Sequence, residues 1–201
     1  MKRLFCTLFF SAVILLGLGA QENSALLSPY YLEGAVPVKN GMVEFETSFS
    51  VPEKSQSELF ELLKNYTQTI VENPDRLPRT RITELSPDEG VIAASVEEYL
   101  WFKRKAWVWD RAQLSYQLVF QISDGNFKAT MRRLTYFYEP MSVENIDSKL
   151  KAEDWITDQA ALSRDGKHLK RVSGKKFRVK TIDRKNQIFK GAAEACGLKL
   201  R

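Results

Sequence analysis

Few side chains in this chain could carry out covalent or metal chemistry. There is one histidine, His168, and there are two cysteines, Cys6 and Cys196. A metal site built from several His or Cys ligands is therefore out of reach. A Ser–His–Asp arrangement needs its imidazole in an ordered cleft. His168 lies in Asp165-Gly166-Lys167-His168, a turn-like stretch, and is expected as a solvated loop side chain. Glu97 and Glu98 are adjacent carboxylates on a predicted strand. Neighbouring strand residues point to opposite faces, so this pair cannot converge on one ion. Paired carboxylates for sugar hydrolysis stay open, because any two acidic residues distant in sequence can meet in space. No Gly-rich phosphate loop occurs. No catalytic residue, metal ligand or cofactor is assigned.

The most unusual local composition is YLWFKRKAWVWDR, residues 99–111, which holds Trp101, Trp107 and Trp109. Lys103, Arg104, Lys105 and Arg111 are interleaved with them. Exposed tryptophan beside arginine or lysine suits contact with sugars, aromatic groups or proteins through stacking and cation–π attraction. The competing reading is a hairpin whose tryptophans stack across strands and cover the sheet. If Trp107 and Trp109 share one strand face, that face is either core or a binding surface. Trp101, Trp107, Trp109 and Arg111 form the candidate ligand or partner surface.

These residues need elements to hold them. The first twenty residues read as a leader. Lys2 and Arg3 precede an apolar run from Leu4 to Leu18, and Gly19 and Ala20 then meet polar Gln21. Charge, short apolar stretch and small-residue cleavage site are the order of a secretory signal peptide. The run is shorter than the roughly 20 apolar residues that span a bilayer. Cys6 sits too early for a lipid-modified cysteine at the cleavage site. Removal of residues 1–20 leaves Cys196 as a lone thiol, without an internal disulfide partner. It is expected to pack as a small apolar residue. Residues 21–40 form a lead-in ending in the turn signal Asn40-Gly41.

From Val43 to Val51 apolar residues and threonine alternate with Glu44, Glu46, Ser48 and Ser50, the period of a half-buried strand. Ser55 and Glu58 form a capping box that opens a helix. Leu59, Leu62, Leu63, Tyr66 and Ile70 recur at helical spacing, and the helix should stop before Asn73-Pro74. RTRITELS is a short strand, and GVIAASVEEYLWF a longer one. Lys103 to Lys105 read as a polar turn. Leu114 to Ile122 alternate again, and Asp124-Gly125 signals a tight hairpin. The return strand runs from Asn126 to Tyr138, with Pro140 closing it. Its alternation slips at Arg132-Arg133, which predicts a bulge. Residues 141–173 read as a connection with a short helical piece near Glu153–Leu162. A second long helix follows from about Lys175 to Ala195, stopped by Gly197. The order β-α-β-β-β-β-α predicts an α+β fold. Its curved antiparallel sheet of about five strands carries both helices on one face.

Charge is uneven. Between Gln21 and Ser163 acidic residues outnumber basic ones. From Arg164 to Lys190 eleven Lys and Arg face only Asp165 and Asp183. Such a segment either meets a polyanion or docks on its own acidic body.

At YLEGAVPVKNGMVEFETSFSVP the sequence resembles a family of exported bacterial proteins described as a domain of unknown function with a TBP-like fold. The likeness continues through the hairpin ending RLTYFYEP. It extends more weakly to AEDWITDQAAL and KFRVKTIDRKNQIF, which look like the family's C-terminal extension. The resemblance implies a curved antiparallel sheet with helices on one side, over a core at 41–140 and a basic extension at 141–201. It implies no substrate and no catalytic residues, and the name describes shape only. The expectation is a non-enzymatic protein of the periplasm or cell envelope. It would bind an unknown ligand or envelope protein through the open sheet face or the Trp-rich hairpin. The alternatives are a hydrolase built on scattered carboxylates, and contact of residues 164–190 with a membrane surface or an anionic polysaccharide. Nucleic acid is not an expected partner, since an exported protein seldom meets it.

Overall fold

The computed structural model describes residues 29–105, 108–139 and 149–199. The expected leader, Trp107 and the Pro140 stop lie outside them. Among the described residues seven strands form one antiparallel sheet: β1 (Val38–Lys39), β2 (Met42–Ser50), β3 (Arg81–Ser86), β4 (Val91–Lys105), β5 (Val108–Ser123), β6 (Asn126–Phe137) and β7 (Leu150–Lys151). Their spatial order is β1-β2-β6-β5-β4-β3, with β7 pairing the far end of β6. The count exceeds the expected five because β1 and β7 are two-residue strands, too short to show an alternation. β1 folds back on β2 through Asn40 and Gly41, both at positive φ, as a primed hairpin turn requires.

Helix α1 (Gln56–Val71) leaves β2 and returns the chain to β3 at the opposite edge of the sheet. Its start is the expected capping box. The Glu58 N–H donates to Ser55 Oγ at 3.3 Å, and the Ser55 N–H donates to Glu58 Oε2 at 2.9 Å. Leu59, Phe60, Leu63, Thr67 and Ile70 are buried. After β7 come two short helices, α2 (Ala152–Trp155) and α3 (Asp158–Ala161), where one helical piece was expected. A π-helical turn, Ser173–Arg178, then leads into α4 (Val179–Ala195). Gly197, at φ 93°, ends α4 in a Schellman motif: its N–H donates to Glu194 O, and that of Leu198 to Ala193 O.

The core lies between the sheet and the pair α1 and α4. Ile92, Ala94, Val96 and Leu100 of β4 point into it, as do Leu114, Tyr116, Leu118 and Phe120 of β5. The expected slip in β6 is a bulge. Ser115 pairs with Thr135 but Gln117 pairs with Arg132, and Arg133 adopts φ 56°. The extra residue returns Leu134 and Tyr136 to the face that Met131 occupies, and all three are buried.

Lys103 to Lys105 are strand, not the polar turn their composition suggests. They pair with Asp110, Trp109 and Val108 of β5, so the hairpin continues beyond the body of the sheet. Cross-strand pairing supplies what local composition lacks. Phe102 keeps this extension seated, packing on Phe177 with ring centroids 4.7 Å apart.

A fully buried arginine ties the lead-in to the C-terminal region. Arg178 donates from Nε to Tyr31 O (2.7 Å), from Nη1 to Ile156 O (2.8 Å) and from Nη2 to Leu32 O (2.5 Å) and Asp158 Oδ1 (2.6 Å). Asp158 Oδ2 accepts from the Gly34 N–H at 2.8 Å. Burial lowers the pKa of Arg178, and the Asp158 carboxylate opposes that.

Candidate groove beside the Trp-rich hairpin

β3 accompanies β4 only between Val91 and Ser95. Past that point a loop takes its place. The Leu77 N–H donates to Glu97 O at 2.9 Å, Thr80 Oγ1 both donates to and accepts from the Glu97 backbone, and Arg76 bridges Glu98. Further along, no described strand pairs with the outer edge of β4, and a groove of about 580 Å³ lies against it. Its lining falls into two clusters.

The first is a buried charge cluster around Glu98, which is 5% exposed. Glu98 Oε2 accepts from Arg76 Nη1 at 2.6 Å. Glu98 Oε1 accepts from Arg184 Nε and from Tyr116 Oη, each at 2.8 Å. Burial and then the Glu98 charge hold the Tyr116 phenol well above its ordinary pKa, so it remains a donor. Burial opposes the Arg184 charge, but Tyr116 and Glu98 outweigh it and its pKa is raised. Arg184 Nη1 also donates to Gln187 Oε1 at 2.6 Å.

The second cluster is aromatic and cationic, carried by the hairpin. Trp101 stands opposite Arg111 across β4 and β5. The Arg111 guanidinium lies 3.6 Å from the Tyr99 ring centroid, 5.0 Å from Trp101 and 5.6 Å from Trp109. Arg104 lies 5.0 Å from Trp101 on its own account. Trp101 and Trp109 meet edge to face at 6.2 Å. Trp101 is half-buried, whereas Trp109 is 68% exposed.

Of the four candidate residues, three therefore come together, and Trp107 lies outside the described residues. Cross-strand ring stacking and an exposed ring coexist, so the two sequence readings of the tryptophans are not exclusive. Glu97 and Glu98 separate to opposite faces, as strand geometry requires. Glu97 accepts from Ser115 Oγ at 3.3 Å on the uncovered side. His168 is exposed in a turn whose backbone is tied to Ser163. Cys196 is buried, and burial pushes its thiol up to about 11. Parts of the basic segment dock on the body: Arg184 on Glu98, Arg178 on Asp158, and Lys176 on Asp110 at 2.5 Å. Among the described residues no three His, Cys, Asp or Glu side chains gather as metal ligands. Arg76, Glu98 in its paired role, and Arg184 were not among the expected site residues, and Arg104 was expected only as one of the basic side chains interleaved with the tryptophans. Only the Arg104 position, inside the Trp-rich stretch, carried a local signal.

A family model described as a domain of unknown function (DUF4468) with TBP-like fold matches residues 45–137. The chain is similar to the crystal structure of a DUF4468 family protein from Bacteroides ovatus, at 30% identity and TM-score 0.75. The match covers 85% of this chain and 95% of that one. It is also similar to a TBP-like protein from Parabacteroides distasonis, at 17% identity and TM-score 0.64, over 82% of this chain and 99% of that one. The second likeness concerns the fold alone. No curated protein matches the chain.

Proposed function

The chain belongs to the DUF4468 family, whose TBP-like fold it shares, and from that premise we propose that it is a non-enzymatic binding module of the cell envelope. Its contact surface is the groove beside the hairpin, with Trp109 as the anchor. A fold name does not supply a function; the site does.

The observation that carries this reading is the exposure of Trp109. A tryptophan has about 200 Å² to bury. At 68% exposure and about 25 cal/mol per Å², roughly 3 kcal/mol of apolar burial is left unrealised. The ring meets Trp101 edge to face and lies 5.6 Å from the Arg111 guanidinium, contacts that reduce the rotamer freedom a partner would have to remove. The carboxylate best placed for chemistry in the groove, Glu98, is occupied by two guanidiniums and a phenol, which suits scaffolding better than proton transfer. The leader-like residues 1–20 support an envelope location.

The test is tryptophan fluorescence of the purified protein titrated with neutral and acidic glycans, peptidoglycan fragments and lipid vesicles. A saturable change that disappears in Trp109→Ala is expected. Saturable binding that survives Trp109→Ala, or no binding to any member, removes the groove from consideration. N-terminal mass analysis of the protein from cell fractions checks the location; an unprocessed cytoplasmic chain would refute it.

A further inference from the structure

The groove has a charge preference, which narrows its ligand. Its lining carries Arg76, Arg104, Arg111 and Arg184 against Asp75 and Glu98. Arg76 and Arg184 share Glu98. Among the described residues, Arg104 and Arg111 have no carboxylate within ion-pair reach. They are held instead on aromatic faces, Arg111 over Tyr99 and both of them near Trp101. A guanidinium stacked on a ring keeps its N–H edge free in its own plane, the geometry that grips a carboxylate through two parallel hydrogen bonds. The exposed Trp109 ring lies 5.6 Å from the Arg111 guanidinium.

Resting on the reading that the groove is a binding site, we propose that it takes an acidic glycan. The carboxylate of a hexuronate residue would lie against Arg111 and Arg104, and a sugar ring would stack on Trp109. The groove is open, so a chain can pass through it, and its volume lies within the range of about 300–1,000 Å³ that ligand sites occupy. The charge surplus is two guanidiniums. That matches one or two carboxylates and falls short of a polyphosphate, which needs a cation at successive phosphates.

Calorimetry of the purified protein with four probes tests this: a galacturonate tetramer, its methyl ester, a neutral galactose tetramer and a twelve-residue oligothymidylate. The galacturonate tetramer is expected to bind at least tenfold more tightly than its ester, and to weaken several-fold as salt rises. Arg111→Gln and Arg104→Gln should each bring it toward the level of the ester, with thermal midpoints close to that of the parent. Trp109→Ala should weaken the acid and the ester alike. Equal binding of acid, ester and neutral sugar overturns the acidic preference and leaves the hairpin site standing. Tighter binding of the oligonucleotide overturns the sugar assignment and also leaves the site standing. Silence from all four probes overturns the glycan, and silence across the wider panel above removes the site with it.

Discussion

Glu98→Gln is the most informative single change, because it keeps the side-chain shape and removes the charge on which three chain segments converge. Arg76 and Arg184 would stay beside it, with only 11% and 18% of their side chains exposed. Removing one member of a buried ion pair costs about 3–5 kcal/mol, since the remaining charge is left uncompensated. Both arginines border groove water, which favours the lower end, about 3 kcal/mol. The new amide also turns a donor toward a set made entirely of donors, Arg76, Arg184 and Tyr116. For a chain of this size the thermal midpoint should fall by about 6–12 °C. Urea unfolding measures the free energy, provided the slope stays unchanged. The Arg184→Met single variant and the double variant complete a cycle with an expected coupling of about 1–3 kcal/mol. Added sulfate should restore Glu98→Gln more than it stabilises the parent, because Arg76 and Arg184 then lose the carboxylate they share and join Arg104 and Arg111 as unpaired guanidiniums. A loss below about 1 kcal/mol, or a coupling near zero, would show that Glu98 is not the hub described.

Arg178→Ala leaves three backbone carbonyls and Asp158 Oδ1 without their donor, and should cost about 3–5 kcal/mol by urea unfolding. It should also expose the lead-in to chymotrypsin at Tyr30 and Tyr31; a lead-in that stays protected argues against the clasp. Stability should decline on the alkaline side. Burial raises the Cys196 thiol from 9.0 to about 11, and burial likewise raises Tyr66 to about 12. A folded-state pKa above the unfolded one means that the stabilisation is whole below about pH 9 and is lost as pH climbs through about 11. Cys196→Ala should flatten the urea midpoint between those limits, and an unchanged slope there would assign the decline to other groups.

Local pattern made much of this molecule legible. Ser55 and Glu58 announce the start of α1 because a capping box is satisfied within four residues. The alternation of β2, the Asp124-Gly125 turn and the Gly197 stop are equally local. Even the Arg133 bulge shows as a one-residue slip of apolar phase, since every side chain beyond it must return to the core face. The tryptophan and arginine content of the hairpin was plain from composition.

Which residues alternate, the bounds of α1, the end of α4, and the mixture of aromatic and cationic side chains in the hairpin are all written in the linear order of the chain. Tertiary structure decided that β4 continues through Lys103–Lys105, because only pairing with β5 holds so charged a stretch as strand. It brought Arg76 and Arg184 to Glu98 across 22 and 86 residues of chain, and buried Arg178 against a lead-in nearly 150 residues earlier. Periodicity records which way a side chain faces within its own element. Which distant charge it meets there depends on how the elements pack, and a linear pattern carries no record of that.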